Sequence, residues 1–280
     1  MRALKGHGTG NDFIVVPSAE RDFSADEVAL LCDRHFGIGA DGLIRIVATA
    51  DATDPFIRAQ AADAEWFMDY RNADGSLAEM CGNGVRVFVH ALIVEGKAAV
   101  GSFKVATRGG TKSVRIDTVG GDVAVGMGLG EPLLPSSITI GEGATLPAAG
   151  MLFPNPHAVV FVDDLDDAGD LFDVPSWQPQ ERYPNGVNVE FVRFVGPRHI
   201  ELRVHERGVG ETLSCGTGIC AAVNVARDAE QETESATWIV DVPGGRVHVD
   251  VEASGETTLR GPAAIVAELQ IDEEWLRREA

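Results

Sequence analysis

Two short stretches of the chain share one pattern. Residues 79–89 read EMCGNGVRVFV and residues 213–223 read LSCGTGICAAV. Both contain Cys, Gly, a polar residue and Gly, followed by an apolar run of helical length. The two stretches lie about half the chain length apart, and a repeat at that period predicts two similar domains. Each domain is expected to place a cysteine, Cys81 or Cys215, at a turn from a strand into a helix.

These turns suit acid–base chemistry at sulfur. The glycines let the backbone start a helix and approach a ligand closely. The first turn of a helix offers unpaired N–H groups and the positive end of the helix dipole. That environment lowers the pKa of a thiol below its free value of about 8.5, and it also binds a carboxylate. We therefore expect a stabilised thiolate at each turn, next to a site for an acidic substrate.

Paired thiols can invert a stereocentre. One thiolate can take a proton from one face of a carbon while the other thiol returns a proton to the opposite face. Backbone N–H donors from both helix starts can stabilise the charge that develops as the α-proton leaves. Cys81 and Cys215 are the candidate catalytic residues on this reasoning. A single cysteine is more often a small buried apolar residue, which is the interpretation for Cys32 and Cys220.

The composition is that of a globular protein with an acidic surface. The 280 residues include 23 Lys and Arg against 43 Asp and Glu, for a formal charge of −20. Such a charge repels phosphate groups, so we expect no nucleic acid and no membrane surface as a partner. The longest apolar stretch, residues 85–94, is interrupted by Arg86 and His90 and is shorter than the roughly 20 residues that cross a bilayer.

The cysteine usage indicates a reducing compartment. Four cysteines in a chain of this length are too few for a disulfide framework, and no CxxC pattern suggests a zinc site. The N-terminal residues also lack the apolar core of a signal peptide. We therefore expect no bound metal, and a soluble cytoplasmic protein.

Short strands alternate with a few helices along the chain. The strands are predicted at 43–48, 66–70, 113–117, 122–127, 158–163, 187–195, 199–205, 237–242 and 246–252. Ser24 and Glu27 form a capping-box pattern that predicts a helix over residues 26–35, ending near Gly37. Residues 128–150 are rich in Gly, Pro and Ser with weak periodicity, and we interpret them as the domain junction.

Five longer motifs span nearly the whole chain. They are KGHGTGNDFIVV at 5–16, RNADGSLAEMCGNGVRVF at 71–88, NPHAVVFVDD at 155–164, PNGVNVEFV at 184–192 and ERGVGETLSCGTGICAAV at 206–223. In content and order they resemble the diaminopimelate epimerase family, the pyridoxal-independent two-cysteine enzymes of lysine and peptidoglycan biosynthesis. The resemblance implies an isomerase that converts LL-diaminopimelate, a small-molecule substrate, to meso-diaminopimelate with no cofactor.

The resemblance also implies a fold. The expected class is α/β (α+β), with two pseudo-symmetric domains, each a strongly curved, mostly antiparallel sheet wrapped around a central helix, and an active site in the cleft between them. The N-terminal domain bearing Cys81 is expected over residues 1–130, and the C-terminal domain bearing Cys215 over residues 131–263. Residues 264–280 are expected to return to the first domain. The family often forms homodimers, although the sequence leaves the oligomeric state open.

Individual roles follow from the resemblance as well. Cys81 and Cys215 are implied to be the two bases, and His157 and Glu206 to tune the two thiols. The residues whose backbone N–H groups are implied to receive a carboxylate are Gly82, Asn83, Gly216 and Thr217. The side chains implied to hold the remaining polar groups of the substrate are Asn11, Asn72, Asn155, Asn188, Glu206 and Arg207. Asparagine can donate and accept, so it can bind ammonium and carboxylate alike.

Each of these residues also has a local explanation. The four asparagines lie in turn-like sequences, where Asn often only shapes the backbone. His157 by itself is more often a satisfied core histidine, and Glu206 with Arg207 a solvated charge pair of little energetic value. One departure from the family is visible: some members have Gln where this chain has Gly42, so a side-chain contact made there is missing.

Other functions compete with an epimerase of diaminopimelate. A proline or hydroxyproline racemase would share the scaffold and the opposed thiols, but its substrate lacks a second amino-acid head for the asparagines, Glu206 and Arg207 to bind. A phenazine-biosynthesis type isomerase lacks the cysteine pair. A non-enzymatic amino-acid binding protein would use a similar cleft. A thiol-redox protein would be expected to carry a CxxC motif, which this chain lacks.

Overall fold

The computed structural model describes residues 1–280, which form a mixed α/β chain of eighteen strands and five α-helices. The strands are β1 (Arg2–Gly8), β2 (Asn11–Val16), β3 (Gly42–Ala48), β4 (Trp66–Asn72), β5 (Gly101–Ala106), β6 (Lys112–Ile116), β7 (Val123–Gly128), β8 (Glu131–Thr139), β9 (Thr145–Leu152), β10 (Pro156–Phe161), β11 (Ser176–Gln178), β12 (Asn188–Gly196), β13 (His199–Glu206), β14 (Gly210–Thr212), β15 (Ala236–Val242), β16 (Gly245–Val251), β17 (Thr257–Gly261) and β18 (Ala264–Gln270). The helices are α1 (Ala25–Cys32), α2 (Pro55–Arg58), α3 (Gly82–Val94), α4 (Gly216–Ala229) and α5 (Glu273–Glu279).

The chain divides into two compact units. Unit 1 contains residues 1–125 together with 261–280, and unit 2 contains residues 126–260. In unit 1 the last strand, β18, pairs antiparallel with β1, so that Ala267 lies opposite Lys5. The sequence interpretation placed the borders at 130/131 and 263/264.

Unit 1 is built around α3. Strands β1 and β2 form an antiparallel hairpin, β2 pairs parallel with β3, β3 pairs antiparallel with β4, and β4 pairs parallel with β5. Helix α3 lies in the connection between β4 and β5, because a parallel pair needs a long crossover. It contacts β1, β2, β3, β4 and β18.

Unit 2 repeats this order of pairings. Strands β9 and β10 are antiparallel, β10 and β12 parallel, β12 and β13 antiparallel, and β13 and β15 parallel. Helix α4 lies before β15, as α3 lies before β5, and contacts β9, β10, β12, β13 and β16. The predicted fold class is confirmed, and the internal repeat in the sequence corresponds to a repeat in topology.

Helix α3 is apolar around its circumference, which is typical of a helix that is buried on all sides. Every residue from Gly82 to Leu92 is buried. Its one Arg or Lys, Arg86, donates to the carbonyl of Pro262 at 2.9 Å and to the hydroxyl of Thr9 at 3.0 Å. These hydrogen bonds offset the cost of burying a guanidinium. Neither α3 nor any other helix has the length and apolarity of a membrane span.

The predicted junction at 128–150 is wrong. Residues 131–139 and 145–152 form the antiparallel hairpin β8–β9 within unit 2. Three prolines (Pro132, Pro135 and Pro147) and a register shift between Leu133 and Ser136 interrupt the alternation that would have marked these strands. The sequence analysis also missed β1 and β2, since the glycine-rich stretch KGHGTGND, which runs from the end of β1 into the start of β2, hides their period.

The first helix begins as predicted and ends early. Ser24 is the N-cap of α1 and forms a complete capping box with Glu27, which confirms that prediction. The helix ends at Cys32 rather than at residue 35. Asp33 is extended, and its Oδ1 accepts from the backbone N–H groups of His35 and Phe36, each at 2.7 Å, which turns the chain away from the helix.

A substitution at Leu276 tests how much the C-terminal segment contributes to the stability of unit 1. This side chain of α5 is fully buried in a cluster with Leu31 and Leu43. Leu276→Ala should reduce the free energy of unfolding by about 3 kcal/mol, the usual cost of a cavity of this size. Chemical denaturation would measure the change. Leu134→Ala, at a side chain that is 67% exposed, should change it by less than about 0.5 kcal/mol; equal effects of the two would contradict the packing.

Candidate active site

Cys81 lies at the start of the buried helix of unit 1. It is the N-cap of α3, with an extended backbone, and is partly buried. Its sulfur accepts from the N–H of Gly84 at 3.5 Å, and its thiol donates to Oδ1 of Asn11 at 3.4 Å. The side-chain amide of Asn83 donates to the same oxygen at 3.4 Å. Residues from two separate motifs, Asn11 from the first and Cys81 and Asn83 from the second, are therefore in contact.

Asp41 orients Asn11. Its Oδ2 accepts from Nδ2 of Asn11 at 2.7 Å and from the backbone N–H of Asp12 at 3.0 Å. Arg34 donates to Oδ1 of Asp41 at 2.8 Å. Because the Asn11 amide nitrogen is held by a carboxylate, its oxygen is the atom presented to Cys81. The sequence analysis gave Asp41 no role.

Asp12 is structural support, as its position beside this network suggests. Arg34 donates to Oδ1 at 2.7 Å and Lys5 to Oδ2 at 2.6 Å. Burial acts to raise the pKa of the Asp12 carboxyl, but the hydrogen bonds and charges of Arg34 and Lys5 outweigh it and lower the pKa to about 2. Asp12 is therefore an anion at neutral pH, and it anchors the β1–β2 hairpin that carries Asn11.

Asn72 is the last residue of β4 and shapes a turn. Its side chain donates to the hydroxyl of Ser76 at 3.0 Å, and its backbone N–H to the Ser76 carbonyl at 2.9 Å. These hydrogen bonds agree with the local explanation of this residue. A ligand role for Asn72 stays a prediction.

Gly42 lies in a crowded position on β3. A Cβ atom there would be 2.5 Å from the carbonyl oxygen of Arg71 and 2.6 Å from Cε2 of Tyr70. No side chain fits at residue 42 without moving this strand pair. Where some family members have a Gln side chain, this chain therefore has Gly42 with the ring of Tyr70 in the adjacent space.

Cys215 lies at the start of α4 in unit 2 and is only 7% exposed. Its sulfur is 3.5 Å from the hydroxyl oxygen of Thr217. Burial raises the pKa of this thiol well above its ordinary value, and the charges of Glu206 and Glu190 add to the effect. Hydrogen bonds from Thr217 and the Gly218 backbone oppose it without reversing it. The expectation of a lowered pKa at this turn is therefore wrong for Cys215, because desolvation outweighs the helix dipole.

The hairpin β13–β14 positions Glu206 and Arg207. Glu206 is the last residue of β13, and its carboxylate accepts from the hydroxyl of Thr212. The backbone N–H of Arg207 donates to Oδ1 of Asn188 at 2.9 Å, and its guanidinium donates to the carbonyl of Asn185 at 3.0 Å. Asn188 therefore holds the turn that carries Arg207. Glu206 and Arg207 are not a simple solvated pair.

His157 is fully buried between an amide and a carboxylate. Nδ1 is 2.7 Å from Oε1 of Glu190, and Nε2 is 3.0 Å from Oδ1 of Asn155. Asn155 and His157 were predicted as site residues, and the structure joins them by a hydrogen bond. Glu190 was missed, although NVEFV places a charged residue within an apolar strand, a signal that the sequence does carry.

The proposed carboxylate-binding residues all belong to helix starts. Gly82 and Asn83 form the first turn of α3, and Gly216 and Thr217 that of α4. No cluster of three or more His, Cys, Asp or Glu side chains is arranged to hold a metal ion, and no disulfide joins any of the four cysteines.

Solved structures of known proteins share this fold. A phenazine biosynthesis protein of the PhzF family from Bacillus anthracis superposes with a TM-score of 0.71 at 15% identity, covering 97% of this chain and 99% of that one. At so low an identity the likeness concerns the fold alone.

Sequence comparison is more specific. The family profile described as diaminopimelate epimerase matches residues 3–131 and 152–266. The diaminopimelate epimerase of Streptomyces coelicolor is 53% identical, covering 98% of this chain and 96% of the relative. That of Thermobifida fusca is 46% identical, covering 96% and 97%. With a profile match over most of its length and relatives of this similarity, the chain belongs to the diaminopimelate epimerase family of isomerases.

Proposed function

We propose that this chain converts LL-diaminopimelate to meso-diaminopimelate by a two-base mechanism at Cys81 and Cys215, without a cofactor. The observation that carries the proposal is that each unit places a cysteine at the first turn of its buried central helix. Sequence relatives that are diaminopimelate epimerases support the choice of substrate.

The two thiols have different environments, which suggests different resting states. Burial and two nearby carboxylates raise the pKa of Cys215, so at neutral pH it holds its proton and is the donor. Cys81 is then the base: its thiolate removes the α-hydrogen of the LL substrate as a proton. The electron pair left on carbon takes a proton from Cys215 on the opposite face. The reaction leaves Cys81 as a thiol and Cys215 as a thiolate, and the reverse reaction exchanges the roles.

The helix starts supply the electrophilic assistance. Backbone N–H groups of Gly82, Asn83, Gly216 and Thr217 are the proposed donors to the carboxylate of the reacting centre. Such donors stabilise negative charge that develops beside them, because they are fixed before the reaction begins. A basic side chain is not needed for this task.

The remaining polar side chains are proposed to bind the ammonium and the distal amino-acid head. Asn11 presents its side-chain oxygen beside Cys81, because Asp41 holds its amide nitrogen. Asn72, Asn155 and Asn188 are proposed to contribute further amide groups, which can donate as well as accept. Arg207 offers a fork for a carboxylate, and Glu206 an acceptor for an ammonium. His157 and Glu206 are proposed to tune the thiols. We further propose that the enzyme acts in the cytoplasm, in lysine and peptidoglycan biosynthesis, and that it assembles as a homodimer.

Isotope exchange tests the reaction. In heavy water containing EDTA and no added cofactor, LL-diaminopimelate should give meso-diaminopimelate with one deuterium at the inverted carbon, because the returning proton comes from a thiol that has exchanged with solvent. Chiral chromatography and mass spectrometry would follow the product, with proline as the control substrate that stays unchanged. Tight binding of diaminopimelate without deuterium uptake would contradict the proposal and favour a binding protein.

Cysteine variants test the two bases. Cys81→Ala and Cys215→Ala should each lower kcat by about 10²- to 10⁴-fold, the range of a single acid–base group. Cys220 lies on α4, the helix that begins at Cys215, and is fully buried. Cys220→Ala should therefore retain near-normal kcat. Circular dichroism would check that all three variants are folded. Near-normal turnover by either of the first two would contradict the mechanism.

The raised pKa of Cys215 predicts its reactivity. The charge of Glu206 contributes to the raised pKa of Cys215, so Glu206→Gln should lower that pKa and increase the thiolate fraction at a fixed pH. Without substrate at pH 8, iodoacetamide should therefore alkylate Cys215 faster in this variant than in the unaltered chain, as measured by peptide mass spectrometry. Glu211→Gln, which removes a carboxylate that pairs with Arg203, should leave the rate unchanged. Equal rates in all three proteins would contradict the assignment.

A further inference from the structure

Glu190 is a buried carboxylate that the sequence motifs assign no task, and it enters the proposed mechanism only through its charge near Cys215. It lies on β12, in the stretch NVEFV, and no part of it reaches solvent. A charged group is costly to bury unless it has partners that compensate its lost hydration. The partners of Glu190 therefore indicate why this strand carries a glutamate.

One oxygen of Glu190 is committed to His157. Oε1 lies 2.7 Å from Nδ1 of His157, and both side chains are fully buried. Oε2 has no hydrogen-bond partner. His157 is thus the one polar side chain with which this carboxylate forms a hydrogen bond, and His157 depends on Glu190 for the position of Nδ1.

A second neighbour of Glu190 is Gly218, a glycine in the first turn of α4. A Cβ atom on Gly218 would lie 2.4 Å from Oε1 and 3.1 Å from Cδ of Glu190. The carboxylate therefore occupies the space that a side chain at residue 218 would need. Its place beside the positive end of α4 offsets part of the cost of its burial.

A carboxylate at this place fixes the protonation of the imidazole. An ionised carboxylate only accepts hydrogen bonds, so Nδ1 of His157 must carry a hydrogen. Nε2 lies 3.0 Å from Oδ1 of Asn155, so both nitrogens of the buried ring have a hydrogen-bond partner.

We propose that Glu190 is the positioning residue of His157, holding its Nδ1–H against the carboxylate and its Nε2 against Asn155, and that Gly218 leaves the room that Glu190 needs. The kinetic consequence rests on the proposed function, in which His157 tunes a catalytic thiol. The protonation of the ring is a separate consequence that does not depend on any reaction.

Nitrogen NMR tests the protonation directly. In protein labelled with ¹⁵N-histidine, His157, assigned by the signals lost in His157→Gln, should show a protonated Nδ1. Glu190→Gln should give a mixture of tautomers, because a glutamine side chain can donate as well as accept. Unchanged His157 signals in Glu190→Gln would overturn the proposal, whether or not the protein is found to epimerise diaminopimelate.

Kinetics test the consequence for catalysis. Glu190→Gln should lower kcat on the order of 10- to 100-fold, as loss of a residue that orients a functional histidine does, with KM and the thermal melting point little changed. Glu256→Gln, an exposed residue of unit 2, is the matched control and should behave as the unaltered chain. A normal kcat in Glu190→Gln would overturn the proposal. Absence of activity in the unaltered chain would instead overturn the proposed function and leave the NMR result to decide the positioning.

A double-mutant cycle tests the part of Gly218. Gly218→Ala should lower kcat when Glu190 is present, because the added methyl displaces the carboxylate. In the Glu190→Ala background the same change should have little further effect, since the methyl then has room. Equal losses in both backgrounds would show that Gly218 does not act through Glu190.

Discussion

The central constraint on this structure is the burial of two helix starts. The backbone N–H groups of a first helical turn have no partner within the helix, and burying them without one is costly. Here α3 and α4 are enclosed by strands of their own units, and each begins with a cysteine followed by glycine. The glycines let a ligand approach these turns closely. The carboxylate of a ligand can then accept the hydrogen bonds for which the helix itself offers no acceptor. In the proposed mechanism, the same carboxylate oxygens would satisfy the buried N–H groups and hold the substrate at the reacting centre.

The two similar turns nevertheless place their sulfur atoms in different environments. In unit 1, Cys81 forms hydrogen bonds with the neutral amide of Asn11 and with a backbone N–H group. In unit 2, Cys215 is more deeply buried and lies in the field of Glu206 and Glu190. Acid and base roles arise when environments hold two titratable groups in different protonation states. Under the proposed mechanism, the duplication supplies a pair of equivalent positions, and the divergence of their surroundings gives one thiol the role of acid and the other that of base.

Much of this could be read from the sequence, and the failures have physical causes. The CGxG repeat predicts the duplicated topology because each copy of it lies at the start of the buried helix of one half. The hairpin β8–β9 escapes prediction, since Pro132, Pro135 and Pro147 disrupt its alternation. Asp41 and Glu190 act through contacts with Asn11 and His157, which lie far away in the chain. The apolar strand NVEFV marks Glu190 as unusual, but no local pattern identifies the partner of either residue. The prediction for the pKa of Cys215 failed for a similar reason. The local sequence shows that Cys215 begins a helix, and therefore predicts the effect of the helix dipole. The burial of the thiol depends instead on strands that pack around the helix.

The pairing of β18 with β1 has a consequence for how the protein is made. Unit 1 is discontinuous in sequence: residues 1–125 lack their edge strand and the helix α5 until residues 261–280 have been synthesised. During translation, unit 2 leaves the ribosome before unit 1 can be completed. The nascent N-terminal segment must therefore wait, with the edge of β1 and the apolar surface beneath α5 uncovered, and the chain's exposure to chaperones and to misassembly should be greatest in that interval.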